Sequence, residues 1–369
     1  MARVRGDLFE KGQDAKSAAS RRPSGHADEV GCPIFVVGNS RSGTTMMGRA
    51  LGRHPHVFTM GEIHFFEQLR SAGGMDDRMP EAEAVRLAAR LLCIQRDGYL
   101  RQGDPARFGA EAREILSRMP RSTPRRAHTA AEVFEGFLLH EAARGGKEVP
   151  CDHTPRNVFY IGEILRLYPR ARVINLVRDP RDVLLSQKRK WKRRSLGAKG
   201  IPPRETLRAW ANYHPVTTSK LWNASVRAAD RFAGHGRVLS LRFEDLLADP
   251  EGELRAVCEF IGISFEDGLL EVPQVGSSSG RDRPDRKGID PGRAGSWKKG
   301  GLGEAELFLC QRVTAPLMRR HGYFVEPVAP NPLRVAGSVL ALGPKLALAL
   351  AANLGRIKNL REALGRRLS

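Results

Sequence analysis

At 369 residues, with 41% hydrophobic and 28% charged residues, the chain is long enough for one large or two ordinary domains, and it is neither a disordered polymer nor a multi-span membrane protein. Its 61 basic and 41 acidic residues leave a formal charge of +20, which favours an anionic partner: nucleic acid, a membrane surface, an acidic polymer or a phosphorylated cofactor. Five widely spaced cysteines (Cys32, Cys93, Cys151, Cys258, Cys310) with no CxxC pair argue against a disulfide framework or zinc site; with no apolar signal-like run before residue 30, the cytoplasm is the expected location.

In chain order, residues 1 to about 30 are polar and small, and read as a flexible leader. Cys32-Pro33-Ile34-Phe35-Val36-Val37 is a short apolar run ending in glycine, the pattern of a buried strand. A helix follows through Met46, Met47, Ala50 and Leu51, and His54-Pro55 stops it. Residues 81–119 are mostly helical, with apolar positions at Val85, Leu87, Ala88, Leu91 and Leu92. A further helix spans about 130–144, so that about 81–146 forms a helical insertion in the domain. Thr154-Pro155 opens a helix running to Tyr168-Pro169. Val173 to Val177 is a second buried strand with a helix directly behind it. A long helical stretch near 207–232 leads to a third strand at Val238-Leu239-Ser240-Leu241. Strands alternating with helices predict an α/β fold, a central parallel sheet flanked by helices in three layers, over about 31–330. Residues 274–301 read as one long functional loop, and 331–369 as an apolar, then basic, helical segment.

The most informative segment is Gly38-Asn39-Ser40-Arg41-Ser42-Gly43-Thr44-Thr45, a GxxxxG turn between a strand and a helix. Such a turn aims backbone N–H groups and a helix N-terminus at an anion. Thr44 stands where a P-loop carries the lysine that serves the β/γ-phosphates, which argues against nucleoside triphosphate hydrolysis while keeping the anion cradle. A second candidate anion site starts at Arg178. Asp179 is an N-cap, Pro180 fits the first helical position and Asp182 falls in the first turn. Arg178 from a strand end and Ser186 two turns along the helix would converge on one phosphate; alternatively, Arg178 pairs with Asp182 or Glu163.

Ser40-Arg41-Ser42-Gly43-Thr44-Thr45 resembles the 5′-phosphosulfate loop of sulfotransferases that use 3′-phosphoadenosine 5′-phosphosulfate (PAPS). Val177-Arg178-Asp179-Pro180-Arg181-Asp182 through Ser186 resembles the 3′-phosphate motif of that family. Arg242-Phe243-Glu244-Asp245 through Pro250 is similar to its third signature, and a weaker match extends to about Tyr323. The resemblance implies a P-loop-like fold. It places Arg41, Ser42, Gly43, Thr44 and Thr45 on the phosphosulfate, Arg178 and Ser186 on the 3′-phosphate, and Phe243 near the adenine, where many relatives carry tyrosine. Arg286-Lys287-Gly288 resembles the family's RKG cap on the 3′-phosphate, with a longer gap to Trp297 than in cytosolic members; the alternative is a solvated basic loop.

For the chemistry, Gly61-Glu62-Ile63-His64 resembles the base-bearing Gly-Glu of tyrosylprotein sulfotransferases. Glu62 is the expected general base, its pKa raised by burial near Ile63, Phe65 and Phe66, and His64 is the second candidate. Arg41 takes the place of a lysine in cytosolic relatives. His153, in Asp152-His153-Thr154-Pro155, replaces a lysine of related enzymes; as a protonated imidazole it would steady the leaving oxygen and titrate near neutral pH, or else it serves a purely structural role behind the site. No metal is expected. The resemblance therefore implies transfer of a sulfuryl group from PAPS to a hydroxyl of a carbohydrate, glycolipid or other metabolite, leaving adenosine 3′,5′-bisphosphate (PAP). The competing readings are a non-catalytic nucleotide- or polyanion-binding protein and a kinase on a degenerate P-loop.

Two segments remain. Gln187-Lys188-Arg189-Lys190-Trp191-Lys192-Arg193-Arg194 reads as a gate or strip for an acidic acceptor, or as a solvated helix end; no accompanying pattern supports nucleic acid. Residues 335–354 carry Lys345 as their only charge and precede Arg356, Lys358, Arg361, Arg366 and Arg367. This pattern fits a peripheral membrane contact, packing onto the domain, or a span, and Gly343-Pro344 is expected to interrupt the helix.

Overall fold

The computed structural model describes residues 31–353, except 70–73, 101–102, 120–127, 197, 199, 277 and 279–280, together with Gly365. The expected leader and the basic residues from Arg356 to Arg367 lie outside the described residues.

Five strands form the central sheet: β1 (Ile34–Gly38), β2 (Val57–Thr59), β3 (Val149–Asp152), β4 (Arg172–Val177) and β5 (Val238–Arg242), in the order β2-β3-β1-β4-β5. Every pairing is parallel. The continuous apolar character of β1 follows from its place in the middle, because a parallel strand covered on both faces has no polar side to show. Alternate residues of β1 enter different cores. Phe35 and Val37 join Phe65, Phe66, Phe134 and Tyr168 on one face, while Ile34 and Val36 join Met47, Leu51, Leu254 and Val257 on the other.

The helices that close these faces are α1 (Thr44–Leu51), α2 (Glu81–Asp97), α3 (Gly109–Arg118), α4 (Ala130–Arg144), α5 (Ile161–Leu167), α6 (Pro180–Lys188), α7 (Pro203–Ala211), α8 (Pro215–Asp230), α9 (Phe243–Ala248), α10 (Pro250–Ile261) and α11 (Glu304–Arg320). Two more, α12 (Pro332–Leu340) and α13 (Leu342–Asn353), lie against α11 and α7. The insertion α2–α4 meets the sheet's core through a run of rings: Phe134 of α4 stacks on Phe65 at 4.1 Å and lies 6.4 Å from Tyr168, which stacks on Phe35 of β1 at 5.8 Å. All five cysteines are buried and free. The fold is the expected three-layer α/β arrangement.

The differences from the sequence reading are local. Strands β2 and β3 are too short for periodicity to reveal, and Pro150 inside β3 argues against a strand by pattern alone. The expected helix from Thr154 is a 3₁₀ segment, Pro155–Tyr160, followed by α5. The stretch near 207–232 splits into α7 and α8 at His214-Pro215, with His214 capping α8. Residues 274–301 are not all loop: Pro273–Gln274 pairs antiparallel with Arg283–Lys287, and short 3₁₀ turns follow at Pro291–Arg293 and Ser296–Lys299. The break in the apolar C-terminal segment falls at Ala341, just before Gly343-Pro344.

Candidate active site

The turn between β1 and α1 is the floor of a cavity of about 770 Å³. Ser42 closes it by donating its N–H to the Asn39 carbonyl at 3.1 Å. Gly43 has φ 99°, and a Cβ there would stand 2.3 Å from the Phe243 ring, so only glycine both takes this conformation and leaves room for the ring. Helix α1 starts at Thr44 with no side-chain cap and no acidic residue in its first turn. Its leading N–H groups are thus left for an anion.

Arg41 adopts φ 78°, unusual for a non-glycine residue, and its guanidinium crosses the site. Nε donates to Ser186 Oγ at 2.8 Å; Nη2 donates to the Gly276 carbonyl at 3.1 Å and to Ser278 Oγ at 2.8 Å. Arg178, at the end of β4, donates to the Arg41 carbonyl at 3.1 Å and the Arg293 carbonyl at 2.9 Å, and lies 4.5 Å from the centre of the Phe243 ring. Its approach to Asp182 is only 3.8 Å. That carboxylate instead accepts the N–H groups of Gly295 and Trp297 at 2.9 and 2.8 Å, docking the 290s loop on α6. Asp179 caps α6 by accepting from the Arg181 N–H at 2.8 Å.

Burial, helped by the like charges of Arg178 and Arg193, pushes Arg41 down to about 10. Two buried polar atoms beside this cluster, Ser42 Oγ and Arg178 Nε, have no hydrogen-bond partner. Converging guanidinium groups, a free helix N-terminus and orphaned donors together fit a ligand with several phosphate-like oxygens.

Across the cavity, the Glu62 segment is pinned from below. Ile63 and His64 direct their N–H groups to Thr154 Oγ1 at 3.0 and 3.4 Å, and that hydroxyl donates to buried Asp152 at 2.6 Å. Asp152 also accepts from the Thr154 N–H and from Asn157 Nδ2, each at 2.9 Å. His64, at φ 55°, sets Nε2 3.5 Å from the Glu62 carboxylate and Nδ1 3.8 Å from Glu67, with its ring 4.5 Å from that of Tyr99. Burial opposes charge on His64, whereas the Glu62 side chain stays 42% exposed; the ion pair dominates both, so Glu62 falls to about 2 and His64 rises to about 9. The expected upward shift of Glu62 is therefore reversed. At neutral pH Glu62 is a carboxylate facing the cavity and His64 is an imidazolium with no free lone pair to accept a proton.

The sequence model of the sulfotransferase family matches residues 33–267, more than half of the chain. The chain belongs to the sulfotransferase family. It is 26% identical to human carbohydrate sulfotransferase 6 over 257 residues, covering 63% of this chain and 64% of that protein. It is 28% identical to nodulation protein NoeE of Sinorhizobium fredii over 158 residues, covering 42% of this chain and 31% of that protein. The chain thus spans under two thirds of either relative. The sulfotransferase domain of the Synechococcus PCC 7002 olefin synthase aligns with 21% identity over 83% of this chain and 100% of that domain, at a TM-score of 0.48.

Of the residues the family resemblance singles out, Arg41, Gly43, Thr44, Thr45, Glu62, Arg178, Ser186 and Phe243 line the one cavity, and Ser42 is buried directly beneath it. His153 is not in the lining. Its ring packs under α1, where a Cβ on Gly48 would stand 2.9 Å away, and burial lowers its pKa against the pull of Glu62 and Asp152. The protonated His153 expected at the leaving oxygen is replaced by a buried, neutral ring. Arg286, Lys287 and Gly288 also lie outside the lining: Arg286 and Lys287 are exposed on the outer hairpin, with Lys287 paired to Glu271 at 2.7 Å. Arg293 and Ser296, from the next turn, line the cavity in their stead.

Two further contributors have a role that the sequence alone does not show: it presents Lys190 only as part of the basic run 187–194, and Asp152 and Thr154 only as neighbours of His153. Lys190 lines the cavity, and no ion pair engages it among the described residues. It opens the 3₁₀ segment Lys190–Arg194, just after the end of α6. Lys190 is exposed at the cavity mouth, and the like charge of Arg41 disfavours its protonated form. The remainder of the basic run is largely committed, with Lys188 on Glu306 at 2.6 Å and Arg193 on Asp282 at 2.8 Å. The second contributor is the Asp152–Thr154 pair described above. Away from the cavity, Glu111, His140 and Glu141 gather their ligand atoms within 4.8 Å, but Arg96 reaches both carboxylates, at 2.5 and 2.7 Å, and supplies the positive charge there.

Proposed function

We propose that this chain transfers a sulfuryl group from PAPS to a hydroxyl acceptor, a carbohydrate, glycolipid or similar metabolite. The observation that carries the reading is a single cavity with cationic phosphate donors on one wall and an ionised, rigidly held carboxylate, Glu62, on the other. PAPS supplies an activated sulfuryl group on a phosphosulfate linkage. The turn at Gly43, Thr44 and Thr45 holds its 5′ end, and Arg178, Ser186 and Arg293 hold the 3′-phosphate.

Glu62 orients the acceptor hydroxyl and takes its proton. The hydroxyl becomes strongly acidic as the new O–S bond forms and the old S–O bond to phosphate breaks, so a weakly basic carboxylate suffices. Arg41 and Lys190 offset the charge that collects on the departing bridging oxygen, a task suited to preplaced cations. His64 keeps Glu62 ionised and fixed. The products are a sulfate ester and PAP.

Thermal unfolding with PAP, 5′-AMP and ATP-magnesium tests the donor site. PAP at ~100 times its dissociation constant should stabilise the fold by about 2.7 kcal/mol, with little effect from 5′-AMP. Stabilisation by ATP-magnesium alone would assign the cavity to a kinase, and no shift with any of the three would leave only polyanion binding.

A further inference from the structure

Helices α12 and α13 form an apolar stretch of 22 residues, Pro332–Asn353, of which very little is buried. Six of the nine large hydrophobic side chains exposed among the described residues sit on these two helices and on α7 beside them: Leu333 (81% exposed), Val339, Leu340 (78%), Leu348, Leu207 and Trp210. Leu333 and Leu340 are seven residues apart and so share one face of α12. Lys345 lies 3.4 Å from the Trp210 ring centre, joining the α13 part of this surface to the α7 part. A concentration of this kind marks an interaction site rather than ordinary surface.

The inner edge of the same segment is tied to the domain by polar groups. Arg208 Nε donates to the Ala352 carbonyl at 2.6 Å, His214 Nε2 meets the Ser338 carbonyl at 2.9 Å, and Asn353 Nδ2 donates to Asn212 Oδ1 at 3.0 Å. These bonds lay the segment along the protein surface. Leu350 and Asn353 from α13, with Arg208 and Asn212, also line the acceptor end of the cavity. One pair of helices is therefore cavity wall inside and apolar face outside. Beyond Asn353 the sequence continues with Arg356, Lys358, Arg361, Arg366 and Arg367 against the single acid Glu362, on a chain of net charge +20. An apolar face continuous with a basic segment matches the two attractions an anionic lipid surface offers.

We infer that the outer face of α7, α12 and α13 docks on an anionic phospholipid bilayer, setting the acceptor end of the cavity at the headgroup level. The docking stands apart from the sulfuryl-transfer reading; the corollary, that the acceptor is an amphiphile presented by that bilayer, rests on it.

The test is co-sedimentation of the full chain with phosphatidylcholine vesicles, with and without about a quarter phosphatidylglycerol. The wild type should sediment with the anionic vesicles and far less with the neutral ones. Leu333→Asp/Leu340→Asp should lose on the order of 100-fold in association, and Leu207→Asp, on a different helix, about tenfold, since each charge removes an apolar anchor. Both variants should keep the PAP-induced shift in unfolding midpoint, which verifies the fold independently of the membrane. Wild type left in solution with anionic vesicles, or correctly folded variants that sediment as it does, would overturn the inference. So would a dimer that assembles through this face, is lost in the double variant, and never sediments, because a second copy would then be the occupant. Vesicle association without any PAP shift would leave the docking intact and remove the sulfuryl-transfer reading instead.

Discussion

The two walls of the cavity are built on different terms. On the cationic wall, which the proposed reading gives to the donor, Arg41 and Arg178 tie together the β1–α1 turn, α6 at Ser186 and the segments around Gly276 and Arg293. On the acceptor wall one short segment, Glu62 to His64, is held by a hydroxyl–carboxylate pair beneath it, and the rest comes from helices α2, α7 and α13 with no shared motif. A phosphate imposes the same requirements wherever it binds, so its wall is stereotyped. An acceptor hydroxyl imposes only one base and one approach, which leaves the remainder of that wall free to vary.

Breaking each wall separately should give distinct kinetic signatures. The largest effect is expected from Glu62→Gln, which should lower kcat by about 10³ while leaving the PAP midpoint shift intact. Arg41→Ala should cost about 10² to 10³ in kcat/KM, with Lys190→Ala smaller but in the same sense. Arg178→Ala should weaken PAP by on the order of 10- to 100-fold, read by titration calorimetry, with a lesser change in kcat at saturating donor. Thr154→Val should reduce kcat by about tenfold through the loosened Glu62 segment and leave PAP affinity unchanged; a matching loss of PAP affinity would show that the walls are not independent.

The smallest effect is a pH dependence of stability. His64 stands at about 9 in the folded protein against an ordinary value of 6.5, so its contribution is complete below about pH 6.5 and is lost as pH rises through 9. His64→Gln should therefore show a flatter decline in unfolding midpoint than wild type across that interval. Equal slopes would remove the ion pair from the account.

The donor wall was legible because its residues are local in sequence: GxxxxG at a strand end and Arg178 to Ser186 across one strand–helix junction. The sheet was legible where strands were long and apolar, at β1, β4 and β5, and hidden at β2 and β3. At Asp152-His153-Thr154 the resemblance drew attention to His153, for which a structural role was the open alternative; the fold turns that ring under Gly48 and uses its two polar neighbours to hold a distant segment. The sign of the Glu62 shift was missed because it depends on the left-handed turn at His64, φ 55°, which brings that ring back to Glu62 and which no spacing in the sequence reveals. The RKG cap failed for a different reason: its place depends on how residues 274–301 fold, and a short hairpin turns Arg286 and Lys287 outward while Asp182 draws Gly295 and Trp297 in.

The contact between Gly43 and Phe243 places a constraint on any lineage or library that alters this loop. The two positions form one steric unit, because the ring occupies the space a side chain at 43 would need. A larger residue at 43 is tolerable only alongside a smaller one at 243, and even that pairing must still bear the backbone strain of φ 99°. Substitutions at 43 and 243 should therefore be strongly epistatic, and recombining this loop from one homologue with the β5–α9 corner of another should succeed chiefly when both halves come from the same parent.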